Sequence, residues 1–198
     1  MKFTMAKIFE IHMNENKSTG WQSVRRHLNG WPKPALIALV KDLYGASPDN
    51  RDFLQARFQA EENAGVALEK YRRKIVEQFF PARGDGKLKL GEARKAIRDY
   101  RKATGNLEGT IDLMLTYVEN GTEFTHEFGD INESFYNSLE SVLNEMTRWL
   151  LREGHEFYPR FQARIQRVAT LADGIGWGYG DSVCGQVSCL EEKLGRTK

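Results

Sequence analysis

The sequence predicts an all-α fold of about seven or eight helices, joined by short connections into an antiparallel bundle or a stack of helix pairs. Two observations carry this. Apolar residues return at steps of three and four along most of the chain, whereas strand-type alternation barely occurs. Helix start and stop signals, chiefly Pro, Ser-Pro, Asn and Gly, punctuate those periodic stretches. No segment repeats at a fixed period, so nothing in the spacing specifies a regular solenoid.

Residues 1–30 are weakly patterned and are read as an N-terminal arm. A helical domain follows over 31–181, and 182–198 is read as a tail with room for a short helix. Pro32 and Pro34 open the first helix, which runs to about Tyr44 with Leu36, Leu39, Val40 and Leu43 on one face. Ser47-Pro48 is the next start, a Ser cap before Pro, with Asp49 and Asp52 near the positive helix end. That helix carries Phe53, Leu54 and Phe58.

From about Glu61 to Phe80 the stripe is Ala64, Leu68, Tyr71, Ile75 and Phe79, closed by Pro81 and Gly84-Asp-Gly86. Leu90 to Thr104 buries Ala93, Ala96, Ile97 and Tyr100. Leu107 to Glu119 buries Leu107, Ile111, Met114, Leu115 and Val118, with Asn120-Gly121 read as its stop. Asn132 caps a long helix carrying Phe135, Leu139, Val142, Met146, Trp149 and Leu150, and Gly154 ends it. Tyr158, Phe161, Ile165, Val168 and Ala172 mark one more helix before the glycine loop Gly174 to Gly180.

The 198 residues suffice for one well-buried core or two small subdomains. Net charge is only +2, yet it conceals a sharp boundary. Glu69 to Lys102 holds twelve Lys/Arg against five Asp/Glu, net +7, whereas Ala103 to Thr147 holds nine acids and no Lys or Arg. Cys184 and Cys189 are too few for a disulfide scaffold and lack the second pair of a structural zinc site, which points to reduced thiols in the cytoplasm. No stretch approaches the roughly 20 apolar residues of a membrane span.

Several separated motifs recur together: Phe79-Phe-Pro, Leu113-Met-Leu-Thr-Tyr-Val-Glu-Asn-Gly-Thr-Glu-Phe-Thr, Gly129-Asp-Ile-Asn-Glu-Ser-Phe-Tyr-Asn-Ser-Leu-Glu-Ser and Gly174-Ile-Gly-Trp-Gly. In that order they resemble the bacterial domain of unknown function 6155 family, over roughly Leu36 to Asp181. The resemblance implies a small bacterial helical protein and supplies no activity, cofactor or catalytic residue. The first thirty residues and the cysteine-containing tail lie outside it.

Three candidate surfaces follow from the residues. The acidic run offers Glu123, Asp130, Glu133, Tyr136 and Asn137 as binding residues, joined by Trp177 from the glycine loop. Glu123, His126 and Glu127 share one face if that stretch is helical, and with Asp130 and Glu133 they have the donor chemistry of a divalent metal site. Only one Glu-x-x-His occurs, however, where di-metal bundles use two. On the basic side, Arg94, Arg98 and Arg101 form one ridge and Lys70, Arg73 and Lys74 another, a pattern that suits a phosphate backbone.

Gly-x-Gly-x-Gly here follows a helical stretch rather than a strand, so a dinucleotide site is not expected, and no cofactor is. The reading these observations favour is a cytoplasmic, non-catalytic binding or adaptor module with a protein partner. A metal-dependent enzyme at the acidic run and a nucleic-acid binder at the basic face are the alternatives. Three contacts are expected. One of Arg94, Arg98 and Arg101 should pair with an acid between Glu108 and Glu133. Tyr136, Asn137 and Trp177 should be neighbours, with Trp177 plugging the core. Asp130 or Asn132 should bond backbone amides at the helix start.

Overall fold

All regular structure among the residues described, 20–59 and 64–195 of a computed structural model, is helical. The helices are α1 (Trp21–Leu28), α2 (Lys33–Ala46), α3 (Pro48–Gln59), α4 (Ala64–Phe79), α5 (Leu90–Thr104), α6 (Leu107–Phe128), α7 (Glu133–Arg152), α8 (Tyr158–Ala172) and α9 (Tyr179–Leu194). A one-turn 3-10 helix, His155–Phe157, joins α7 to α8. The part of the expected arm in residues 1–19 lies outside the described residues, but Trp21–Leu28 within it is helical.

The chain divides into two units, Met1–Arg51 and Asp52–Lys198, with the division inside α3. These limits differ from the 31–181 domain expected from pattern. In the first unit Pro34 sits in the opening turn of α2, where its missing N–H costs no helical bond. Ser47 then caps α3 by accepting from the Asn50 amide at 3.1 Å. Neither α1 nor α2 contains a buried residue. Leu36 and Leu39 are half-buried, whereas Val40 and Leu43 are exposed along with Trp21, Trp31 and Ile37.

The second unit holds the hydrophobic core, built around α6. This helix packs against α4, α5, α7 and α8, and α9 packs against α7 and α8. Every residue from Gly109 to Val118 is therefore buried. Asn106 caps α6, its side-chain oxygen accepting from the Gly109 amide at 2.8 Å. Asn120-Gly121 does not end the helix as pattern suggested. Gly121 is a close-packing position instead: a Cβ there would lie 2.3 Å from a methyl of Leu139 on α7. The helix stops at Gly129, whose φ of +88° continues in a conformation that suits glycine.

Residues assigned to a tail belong to the core. α9 buries Tyr179, Val183, Val187 and Leu190, and the Tyr179 hydroxyl shares a 2.6 Å hydrogen bond with Thr122 of α6. Terminal position and two cysteines hid an ordinary apolar stripe.

Candidate functional site

The residues of α5 separate by face. Ala93, Ala96, Ile97, Tyr100 and Ala103 turn into the core, which leaves Arg94, Arg98, Arg101 and Lys102 on the other side of the helix. These four cations line a cleft of about 470 Å³ between α5, α6 and α7. Its apolar lining is Ile97, Met114 and Val142, and Glu145 of α7 is the single acid among the described residues that line it. A concave space of this size, with an apolar base and a few convergent polar groups, has the general form of a ligand site.

The cations differ in how firmly they are held. Arg101 lies over the Trp149 ring, 4.1 Å from its centroid, and 3.7 Å from Glu145. Arg94 donates to the hydroxyls of Ser138 at 3.4 Å and Ser141 at 3.3 Å, both long bonds that exchange readily with another acceptor. The side chains of Arg98 and Lys102 have no ion-pair partner among the described residues. The Lys102 carbonyl accepts from the Arg57 guanidinium of α3, fixing the end of α5.

The other basic ridge is closed. Lys70 and Lys74 both pair with Asp52, at 2.5 and 2.7 Å. Burial pushes the Asp52 carboxyl up, but the hydrogen bonds from the two lysines outweigh it and hold the group below its ordinary value. Arg73 is exposed on the same helix. The two ridges therefore do not combine into one phosphate-tracking surface.

The expected pairing of Arg94, Arg98 or Arg101 with an acid between Glu108 and Glu133 does not form. Four of those acids, Glu108, Asp112, Glu119 and Glu123, pair with α8 instead. Arg160 pairs with Glu108, Arg164 with Asp112 and Glu119, and Arg167 with Glu123 at 3.6 Å. The basic and acidic blocks still meet, through Arg72 of α4, which pairs with Asp112. Asp112 is only 7 % exposed and is neutralised from both sides. Burial alone would lower the Arg164 pKa, yet the Glu119 and Asp112 carboxylates raise it above its ordinary value. The signal in sequence was the spacing of Arg160, Arg164 and Arg167 on one face of α8.

At the acidic run, Asn132 caps α7 as expected, accepting from the Phe135 amide at 3.0 Å, and Glu133 lies in the first turn. Asp130 joins two loops. One carboxylate oxygen accepts from the Tyr136 hydroxyl at 2.5 Å and the other from the Trp177 indole N–H at 2.7 Å. Those two bonds hold the Asp130 carboxyl below its ordinary value. Tyr136 and Trp177 are thus brought together, whereas Asn137 is exposed on α7 and takes no part. Trp177 is 56 % exposed with φ of +59°, so it does not plug the core. Tyr179, two residues on, fills that place.

Glu123, His126, Glu127, Asp130 and Glu133 do not converge. All five are exposed, Glu123 faces Arg167, and Asp130 is engaged by Tyr136 and Trp177. No group of three or more His, Cys, Asp or Glu side chains among the described residues is placed to hold a metal ion. The cleft residues missed in the sequence are Lys102, one turn beyond Arg98, and Glu145. No family model, curated protein or solved structure matches the chain.

Proposed function

We propose that this chain is a non-catalytic binding module and that its ligand is anionic, held in the cleft between α5, α6 and α7. One observation carries the reading: Arg98 and Lys102 have no ion-pair partner among the described residues, beside the weakly held Arg94 and over an apolar base. Lys70, Arg72, Lys74, Arg160, Arg164 and Arg167, by contrast, are engaged by acids of their own unit. Arginine's planar fork suits carboxylate or phosphate oxygens, and Met114 gives the base an adaptable surface.

A long nucleic-acid track is less well supported, because the second ridge is tied to Asp52. Two free cysteines, Cys184 exposed and Cys189 half-buried, suit a reducing compartment, and we take the cytoplasm as the site of action. No helix among the described residues is long and apolar enough to cross a membrane.

Calorimetric titration with polyglutamate and with polyphosphate, at low and high salt, tests the proposal. At least one should bind at low salt, weaken as salt rises, and be lost in Arg98→Glu with Lys102→Glu, a pair of exposed substitutions that leaves the core intact. Wild-type binding by that double variant, or no binding of either polyanion, would sink the proposal.

A further inference from the structure

Resting on that reading, we infer that the occupant of the cleft is an acidic segment of a partner protein bearing aliphatic side chains, and that Glu145 holds its place until it binds. The chemistry of the lining selects this class. The cleft's apolar contacts are non-aromatic, Ile97, Met114 and Val142, core residues with 3–4 % of their surface open. No aromatic residue is among the described lining residues, and the Trp149 ring beside Glu145 is already covered by Arg101 at 4.1 Å. A nucleobase entering the cleft therefore lacks an aromatic lining residue to stack on, a contact that adds to backbone electrostatics in single-strand binding. A Leu, Ile or Val side chain rests on the small apolar patch that these residues leave open at the base.

The cations add a ruler. All four lie on α5, so they run along one helix axis, and the rise of about 1.5 Å per residue puts Arg94 and Arg101 roughly 10 Å apart. Acids repeating at i, i+4 and i+7 on a helical segment have the same spacing. The opposite side, α7, supplies Val142, Glu145 and the Ser138 and Ser141 hydroxyls that Arg94 touches. A ligand carboxylate replaces those neutral acceptors with a charged one, which makes a stronger bond to the guanidinium.

Glu145 already imitates such a ligand. Its carboxylate lies 3.7 Å from Arg101 and accepts from the Trp149 indole at 3.5 Å, both loose distances. Both partners of the ion pair are more than a third exposed, so the contact contributes little stability and yields to a competing anion. As the single acid among the described residues lining the cleft, it also repels an acidic segment. Removing its charge while keeping its shape should therefore tighten binding.

Fluorescence anisotropy tests this on the full chain. The probe is a fluorescein-labelled peptide of about three helical turns with Glu and Leu at helical spacing. The controls are a peptide with Gln for Glu, a peptide with Ser for Leu, and a labelled oligothymidylate. We expect salt-sensitive binding of the Glu/Leu peptide alone, a loss of about tenfold or more in Arg98→Glu, and a gain of about two- to fivefold in Glu145→Gln. If the oligothymidylate or the Ser peptide binds as tightly and Arg98→Glu abolishes it, the acidic-aliphatic class is overturned while the anionic cleft stands. If no probe binds, the acidic-aliphatic class is overturned, and the anionic cleft falls with it when polyglutamate and polyphosphate also fail to bind. Unchanged or weaker peptide binding in Glu145→Gln overturns the placeholder role.

Discussion

At the scale of single residues, two carboxylates define contrasting environments. Asp112 is buried between Arg72 and Arg164, and losing it leaves two partly buried guanidinium groups without their shared acceptor. Because both arginines retain some exposure and Arg164 keeps Glu119, Asp112→Ala should cost about 1–3 kcal/mol rather than the larger penalty of a sealed pair. Urea denaturation measures this, and a loss below about 0.5 kcal/mol would contradict it. Asp130 is solvent-facing, and its role is local. Its folded-state value is depressed, so the contribution of the Tyr136 and Trp177 bonds is fully present above the ordinary carboxyl value of 3.8 and is lost as pH falls through the lower folded value. Indole fluorescence should accordingly show an acid transition below about pH 4 that Asp130→Asn removes. The same transition in the variant would assign it to another group.

At the scale of elements, caps and close contacts decide where helices begin and how nearly they approach. Asn132 satisfies an otherwise orphaned amide at the start of α7, and Asn132→Ala should lower stability by about 0.5–2 kcal/mol. Thermal unfolding checks it against Asn137→Ala, which removes an exposed amide from the middle of α7 and should be near neutral. Gly121 is the sharper case. On an isolated helix, Gly→Ala gains about 0.5–1 kcal/mol. Here the added methyl would lie 2.3 Å from a methyl of Leu139, which is fully buried, so a core side chain must shift to admit it. Gly121→Ala should therefore destabilise by about 1–3 kcal/mol despite the gain in propensity. A stabilised variant would show that α6 and α7 separate easily.

At the scale of the whole molecule, the two units are unequal. The core runs from Ala56 to Leu190, entirely within the second unit, as do the cleft and the ion pairs around it. The first unit has no buried residue in α1 or α2, which contain 8 and 14 residues. Helices of that length without burial are marginal in water. A fragment of residues 52–198 should unfold cooperatively and retain polyanion binding, whereas a fragment of residues 20–51 should show little helix by circular dichroism. Non-cooperative melting of the larger fragment would mean that its core is incomplete.

The sequence alone determined the all-helical class, and it located most of the helices, including Leu90–Thr104 to the residue, because apolar periodicity and capping are local properties. It also identified Arg94, Arg98 and Arg101 of α5 and the cap at Asn132 for the same reason. Reading ran out where one residue type serves two purposes. Asn120-Gly121 has the composition of a helix stop, and only the nearness of Leu139 shows that the glycine admits a neighbouring helix. Charge partners were illegible in the same way: Arg164 and Asp112 lie 52 residues apart, and Asp130 meets Trp177 across 47. Which acids neutralise which arginines depends on how helices pack, and that packing left Arg98 and Lys102 at the α5 cleft without an ion-pair partner among the described residues while closing the ridge at Lys70 and Lys74.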